Sequence, residues 1–359
     1  MSKLLENPFL QILMAPFSLI YKWVMQFRNH LFNIGYKPVF EFDQLIISVG
    51  NLAVGGTGKT PMVEYLVRFI RENYSQTALT MLSRGYGRKT KGFILAHEQS
   101  SAREIGDEPF QLYNKFKNAI DVAVCEDRVL AVPSILLEKP ENKVVLLDDA
   151  FQHRPIKANF SIVLSSFDKP FYDDYVLPAG RLREGRKGIN RADVLIFTKC
   201  PLSISNNEMN KMRQRAAVYF KKEAIYFTGI QYGKILSELK RPIKRGLVVV
   251  TGIANPALML DYLSQEFKII RHFNFADHHF FTVDELNHIN TIAEQNNADV
   301  ICTEKDWVRI MDHKSLFEIL SDKLYYLPMM VQFLEGEQAI AQKLKGLLSA
   351  QNESSKASS

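Results

Sequence analysis

Ala53-Val54-Gly55-Gly56-Thr57-Gly58-Lys59-Thr60 is the stretch that decides the fold. It follows the apolar run Leu45-Ile46-Ile47-Ser48-Val49, and after it Pro61 leads into Met62, Val63, Leu66, Val67 and Ile70 at helical spacing. Strand, glycine-rich loop and helix in that order make a phosphate-binding loop. Small residues let successive backbone N–H groups curl around a phosphate, and the helix N-terminus adds partial positive charge. Lys59 is placed to reach the β- and γ-phosphates, and the Thr60 hydroxyl to sit on Mg2+. Pro61 suits a first helical turn, where its missing N–H leaves no bond unmade. Ala53 stands where the pattern usually has its first glycine and is small enough to take that place. The stretch predicts a nucleoside-triphosphate site in an α/β protein.

The 359 residues suffice for two domains, and 47% hydrophobic with 23% charged residues is ordinary for a soluble α/β chain. Cys125, Cys200 and Cys302 lie far apart with no CxxC pair. That points to a reducing compartment and away from a zinc or disulfide framework. A formal charge of +6 suggests an anionic partner: nucleic acid, acidic lipid or a phosphorylated substrate. Charge alone does not choose among them.

Between Asn7 and Tyr21 there is no charge, while Phe9, Leu10, Ile12, Leu13, Met14, Phe17, Leu19 and Ile20 are apolar. Trp23, Val24, Met25, Phe27, Leu31 and Phe32 continue the pattern, broken by Lys22 and Arg28. The uncharged part is shorter than a membrane span and contains Pro16, and no small-residue cleavage site follows. Aromatic and aliphatic groups mixed with lysine and arginine read as a segment lying in a membrane interface. A helix packed on its own domain and a true span are the alternatives.

Further strands are expected at 78–82, 120–124, 143–147, 160–164 and 194–198, with a helix at 129–137. The run Lys143-Val144-Val145-Leu146-Leu147 ends in Asp148-Asp149, the usual partner of a phosphate loop, because a carboxylate there can hold magnesium directly or through water. Two cationic stretches, 83–92 and 177–191, are candidate anion clamps, the second dense in arginine, which grips phosphate bidentately. Thr198-Lys199-Cys200-Pro201 superficially matches a guanine-reading element. Pro201 stands where the base-binding aspartate belongs, so ATP is expected over GTP. A change of domain is expected between 201 and 245, and a second α/β unit opens at Gly246 without a second phosphate loop. Gly106-Asp107-Glu108-Pro109 and Asp277-His278-His279 are the remaining polar clusters. A carboxylate held by a histidine is a reasonable general base, while Asp107 and Asp277 are equally suited to capping helices.

Taken in order, several pieces resemble the tetraacyldisaccharide 4′-kinases, the lipid A 4′-kinase family of Gram-negative bacteria. They are 50–61, Leu82-Ser83-Arg84-Gly85-Tyr86-Gly87-Arg88, Gly106-Asp107-Glu108-Pro109, Leu147-Asp148-Asp149-Ala150-Phe151-Gln152-His153, 177–184, Asp277-His278 and Thr303-Glu304-Lys305-Asp306. Ala150 departs from the glycine usual in that family. The resemblance implies a P-loop NTPase-like α/β/α domain, a second smaller α/β/α domain and an N-terminal amphipathic helix. The expected division is an interfacial helix at 1–35, the P-loop domain at 36–225, a cleft-closing domain at 226–348 and a disordered tail at 349–359. The implied reaction is ATP-dependent phosphorylation of the 4′-hydroxyl of tetraacyldisaccharide 1-phosphate, giving lipid IVA.

ATP and Mg2+ are the implied cofactors and the lipid the implied partner. The implied place is the cytoplasmic face of the inner membrane, peripheral or monotopic, with neither nucleic acid nor an obligate protein partner. Carried onto this chain, residues 53–60 cradle the nucleotide and Lys59 neutralises the transferring phosphate. Thr60, Asp148 and Asp149 serve the metal and nearby water, and Arg128 and Gln152 contact phosphate. Asp107, paired with His278, takes the sugar hydroxyl proton. A soluble small-molecule P-loop kinase or ligase and a membrane nucleotide switch are the competing readings. Nucleic-acid binding is disfavoured because the basic residues cluster in glycine loops and no known binding module is present.

Overall fold

The computed structural model describes residues 8–253, 255–277 and 279–357. A helix, α1 (Pro8–Asn33), leads into β1 (Leu45–Asn51), the phosphate loop and α2 (Lys59–Asn73). The chain continues through β2 (Leu79–Ser83), β3 (Ile94–Leu95), α3 (Ala102–Ile105), α4 (Asp107–Lys115), β4 (Asp121–Val124) and α5 (Arg128–Glu138). Next come β5 (Val144–Asp148), β6 (Phe160–Ser166), β7 (Val194–Thr198), α6 (Asn206–Ala217) and β8 (Ile225–Tyr232). The second unit is β9 (Gly246–Thr251), α7 (Ala257–Ser264), β10 (Lys268–Asn274), α8 (Val283–Gln295), β11 (Asp299–Thr303), α9 (Glu304–Met311), α10 (Lys314–Leu320) and β12 (Leu324–Leu327). β13 (Met329–Glu335) and α11 (Glu337–Ala357) end the described chain.

Two sheets result. The larger has the order β13-β8-β7-β6-β1-β5-β2-β4-β3, parallel except for its edge strands β13 and β3. The smaller, β10-β9-β11-β12, is wholly parallel. Parallel strands are covered on both faces, which is why β1, β2, β5 and β7 are predominantly apolar and buried along their whole length. Met62, Val63, Leu66, Val67 and Ile70 of α2 are fully buried against one face of the large sheet, as their spacing predicts. Val49 of β1 pairs with Asp148 of β5, so the phosphate loop and the aspartates leave adjacent strands at one carboxyl edge. Binding sites of open α/β sheets form there.

The topology redraws the expected division at 226–348. β8 and β13 are antiparallel partners in the large sheet, so 329–335 returns to the first unit after the second is complete. The expected disordered tail at 349–359 is helical as far as Ala357, with Ile340, Leu344 and Leu348 of α11 buried in the first core. The serine-rich composition hid a helix whose order comes from that packing. The helix α6 was not expected either, because Met209, Met212 and Ala216 are its only buried contacts in a polar stretch.

α4 and α9 join the two units. Ala102, Ile105 and Phe110 share a core with Val248, Val250, Leu286 and Trp307 of the second unit. Behind it, Lys115 of α4 bridges Glu64 of α2 at 2.8 Å and Glu304 of α9 at 2.7 Å. Burial pushes Glu64 up to about 7: desolvation outweighs the attraction of Lys115, and Glu304 repels it. A raised carboxyl stabilises the fold fully below its unfolded value of 4.5, and that contribution is lost as pH rises through about 7. Glu64→Gln should therefore raise the melting temperature at pH 8 by about 2–4 °C and lose that advantage as pH falls toward 4.5. Thermal melts of the two proteins at both pH values decide it; an equal shift at each would dismiss the titration.

Candidate active site

The phosphate loop takes its shape from local torsions. Gly55 and Gly58 have φ of 110° and 81°, a region that costs a side chain but not glycine, and α2 starts at Lys59 directly after Gly58. Asn51 Nδ2 donates to Thr57 Oγ1 at 2.7 Å, closing the loop on its own strand. Two distant segments brace it. Val54 N donates to Arg181 O at 2.8 Å and Arg183 N to Leu52 O at 2.7 Å. From β7, Thr198 Oγ1 donates to Thr57 O at 2.8 Å and Lys199 Nζ to Gly56 O at 2.6 Å. The element compared above with a guanine reader thus supports the loop. Lys199 has φ of 59°, uncommon for a side-chain-bearing residue and a mark of a constrained site. Burial holds its ammonium below the usual lysine range, opposed by Asp168 and Asp277 and reinforced by Arg181 and Lys59.

The strand-end aspartates differ sharply. Asp149, at φ 48°, receives both ends of the Arg183 guanidinium at 2.9 Å, and Lys59 Nζ lies 3.8 Å from its Oδ1. Burial opposes ionisation there, yet Lys59, Arg183 and Arg128 outweigh it and hold Asp149 below the usual carboxylate range. Asp148 is buried and its Oδ1 has no hydrogen-bond partner among the described residues. Desolvation first, then the charge of Glu108, raises Asp148 to about 7 against the pull of Lys59 and Arg128. A buried carboxylate oxygen without a hydrogen-bond partner, on the strand next to the one that feeds the phosphate loop, is chemically suited to a divalent cation. Thr60 and Asp148 therefore fit Mg2+, whereas Asp149, expected alongside them as a metal residue, is committed to two cations. Sequence spacing could not separate two adjacent aspartates; their partners in the fold do.

The loop after β5 lies close against β1: a Cβ on Gly50 would come within 2.7 Å of Phe151 Cβ. Gln152 Nε2 donates to Asn51 O at 2.9 Å and to Glu184 Oε1 at 3.2 Å, and Arg128 Nη2 to Asp148 O at 3.4 Å. Both expected phosphate-contacting side chains thus border the loop, held by protein groups. His153 is held down to about 4 by burial and then by the Arg128 cation, so it is neutral, and its buried Nε2 has no partner among the described residues. The expected arginine clamp is largely turned inward: Arg181 pairs with Asp174, Arg183 with Asp149 and Arg191 with Glu184, each at 2.8–2.9 Å.

Asp107 is the first residue of α4 and is buried. Its Oδ2 accepts from Arg309 Nε at 2.8 Å and lies 2.7 Å from Arg309 Nη2. Glu108 follows it, 3.5 Å from Lys305 Nζ, which is also 3.5 Å from Asp277. The expected partner His278 lies outside the described residues. Arg309 went unnoticed in the sequence because a lone arginine in a helix 202 positions from Asp107 carries no local signal.

On the other side of the loop, α1 packs by its polar face. Ser18 Oγ accepts from Ala179 N at 2.8 Å, Tyr21 donates to Arg183 O at 3.1 Å, Arg28 to Gln152 O at 2.9 Å and Asn29 to Glu184 at 2.8 Å. Phe9, Ile12, Phe17, Ile20, Trp23, Val24 and Phe27 remain exposed. A groove of about 1070 Å³ runs between α1 and the segment 174–191, lined by apolar Ile12, Ala15 and Leu19 and by cationic Arg154, Arg186 and Lys187.

A profile of the family described as tetraacyldisaccharide-1-P 4′-kinase matches residues 10–349. The tetraacyldisaccharide 4′-kinase of Flavobacterium johnsoniae is 40% identical over 338 residues, 92% of this chain and 94% of that protein. That of Bacteroides thetaiotaomicron is 38% identical over 90% of this chain and 89% of its own. Among solved structures, that of LpxK from Aquifex aeolicus in complex with ATP superposes with a TM-score of 0.72 at 27% identity, covering 95% of this chain and 99% of the other.

Proposed function

The chain belongs to the tetraacyldisaccharide-1-P 4′-kinase family, and we propose how its own residues carry out the transfer. It is a kinase of lipid A biosynthesis that moves the γ-phosphate of ATP to the 4′-hydroxyl of tetraacyldisaccharide 1-phosphate. The observation that carries the residue assignment is one carboxylate edge. Asp148 leaves β5 next to the strand that feeds the phosphate loop, Lys59 stands 3.8 Å from Asp149, and the charge of Glu108 at the start of α4 acts on Asp148.

In this reading residues 53–58 and the first turn of α2 hold the phosphates with backbone N–H groups. Lys59, released from Asp149 by the nucleotide, balances charge on the γ-phosphoryl group. Thr60 and Asp148 would hold Mg2+, which would supply charge neutralisation when bound. Arg183 keeps Asp149 oriented toward Lys59. Asp107 accepts the proton of the 4′-hydroxyl as that oxygen bonds to the γ-phosphorus, the bond from phosphorus to the β,γ-bridging oxygen breaks, and ADP leaves. Arg128 and Gln152, which border the loop, are assigned to phosphate contact. The experiment is transfer of labelled γ-phosphate from ATP to purified tetraacyl disaccharide 1-phosphate in detergent; ATP binding without transfer to that lipid would overturn the assignment.

We place the protein on the cytoplasmic face of the membrane where ATP is available, with α1 as its contact. At 26 residues α1 is long enough to cross a bilayer, about 39 Å at 1.5 Å per residue. Its hydrogen-bonded polar face and exposed apolar face instead suit a helix lying in the interface. Replacing Ile12, Trp23 and Phe27 together by serine should cut co-sedimentation with anionic lipid vesicles at least tenfold and leave ATP binding unchanged. Retained sedimentation would place the membrane contact elsewhere.

A further inference from the structure

The second unit makes a contribution beyond covering the cleft. Arg309 of α9 is almost wholly buried and is spoken for on both sides. Its Nε and Nη2 converge on one oxygen of Asp107, at 2.8 and 2.7 Å. On the other side its Nη1 donates to Asp306 Oδ1 at 2.9 Å and to Gly252 O at 3.3 Å. Asp306 is completely buried and is itself fixed: its Oδ2 accepts from Gly252 N at 2.9 Å and from Thr303 Oγ1 at 2.7 Å. Gly252 follows β9 and Thr303 ends β11, so the chain of contacts runs from the carboxyl edge of the small sheet, through one guanidinium, to the carboxylate at the start of α4.

Resting on the reading of Asp107 as the base, we infer that Arg309 is its positioning residue: the second unit sets the orientation and the charge state of the base through a guanidinium anchored on Asp306. A buried Asp–Arg–Asp triad carries net negative charge and contributes little to stability against an apolar replacement of the same shape. Its physical effect is elsewhere. Convergent contacts on Oδ2 lock the carboxylate plane, and an adjacent cation favours the ionised form that a base needs. The seam continues along the same two helices, with Lys305 on Glu108 and Lys115 on Glu304, so α4 and α9 are held as one piece along their length.

Among the described residues, the charges facing Asp107 include Arg309 with Asp306 behind it, Lys305 of α9 and Glu108 on its own helix. On the other elements packed around α4, Glu104 pairs with His97, Asp121 with Lys139 and Glu64 with Lys115. Removing Arg309 therefore removes a cation that contacts the base carboxylate at two nitrogens.

The test measures kcat, KM for ATP and the pH profile of kcat for the full chain, with the lipid acceptor in detergent, in Arg309→Met, Arg309→Lys and Asp107→Asn. Arg309→Met should lower kcat about 10- to 100-fold with KM for ATP changed less than twofold. Its acid limb should move to higher pH by about one unit, the sign expected when a carboxylate base loses its cation. Arg309→Lys, which keeps the charge, should return the limb and most of the rate. Should Arg309→Met fail to fold, judged by lost ATP binding, Arg309→Gln carries the same expectations. An acid limb unmoved in the neutral variants overturns the inference, since a structural role would lower the active fraction without moving it. Full activity in Asp107→Asn would instead overturn the assignment of the base itself.

Discussion

Lys59→Ala should lower kcat by about 10³-fold, which is about 4 kcal/mol of transition-state stabilisation. Phosphoryl transfer asks little covalent chemistry of a protein and much charge placement, so the cation nearest the transferring group should dominate. Lys59 meets that requirement: it opens α2 immediately after the αL glycine and is largely buried, with Asp149 as its ion-pair partner at 3.8 Å. Asp149 keeps both contacts with Arg183 when Lys59 is truncated, so the loss is not one of folding. Lys59→Arg should not restore the rate, because a planar fork does not replace a compact ammonium in a loop closed around it. Single-turnover transfer with ATP saturating separates this from weaker binding. A fall confined to KM for ATP would show Lys59 holding ground state and transition state alike.

Asp148→Asn should be equally damaging, about 10³-fold in kcat at saturating Mg2+ and ATP, with an opposite effect on stability. The native side chain is wholly buried, and desolvation with the nearby Glu108 charge raises it to about 7. Such a carboxyl stabilises the fold fully below its unfolded value of 3.8 and ceases to as pH rises through about 7. The isosteric amide escapes that cost, so nucleotide-free Asp148→Asn should melt a few degrees higher than wild type at pH 8, with the gap closing toward pH 4. Addition of Mg2+ and ATP should then raise the wild-type melting temperature more than the mutant's, because a ligand stabilises by its affinity for the native state. Equal stabilisation of both proteins by Mg2+ would remove Asp148 from the metal site. A site that is unfavourable until its ligand arrives is a common trade of stability for activity.

Much of the site was legible because it is local. Residues 53–60 dictate their own backbone: glycine supplies positive φ at two positions, and the strand before and the helix after are contiguous in sequence. The strand ending in Asp148 and Asp149 was legible for the same reason, as an apolar run followed by charge. What spacing could not show is which side chain turns where. Asp148 and Asp149 are one peptide apart, yet among the described residues one has a buried carboxylate oxygen with no hydrogen-bond partner and the other is gripped by two cations. The arginines of 181–191 look like an anion clamp by composition, and three of them are used on Asp174, Asp149 and Glu184. Whether an arginine meets substrate or protein depends on which carboxylates the fold has already brought near it.

By itself the sequence determined the phosphate loop, the parallel sheet around it, the apolar N-terminal helix and the family, because torsional preference and hydrophobic period act over a few residues and survive as pattern. Only the tertiary structure decided the return of 329–357 to the first unit, the different partners of Asp148 and Asp149, the bracing of the loop by Lys199 and the Arg309 contact with Asp107. Those pairings join groups tens to hundreds of positions apart. They are selected by how much apolar surface the packed helices and sheets bury together and by which charges then need partners, quantities that exist only once the chain has folded.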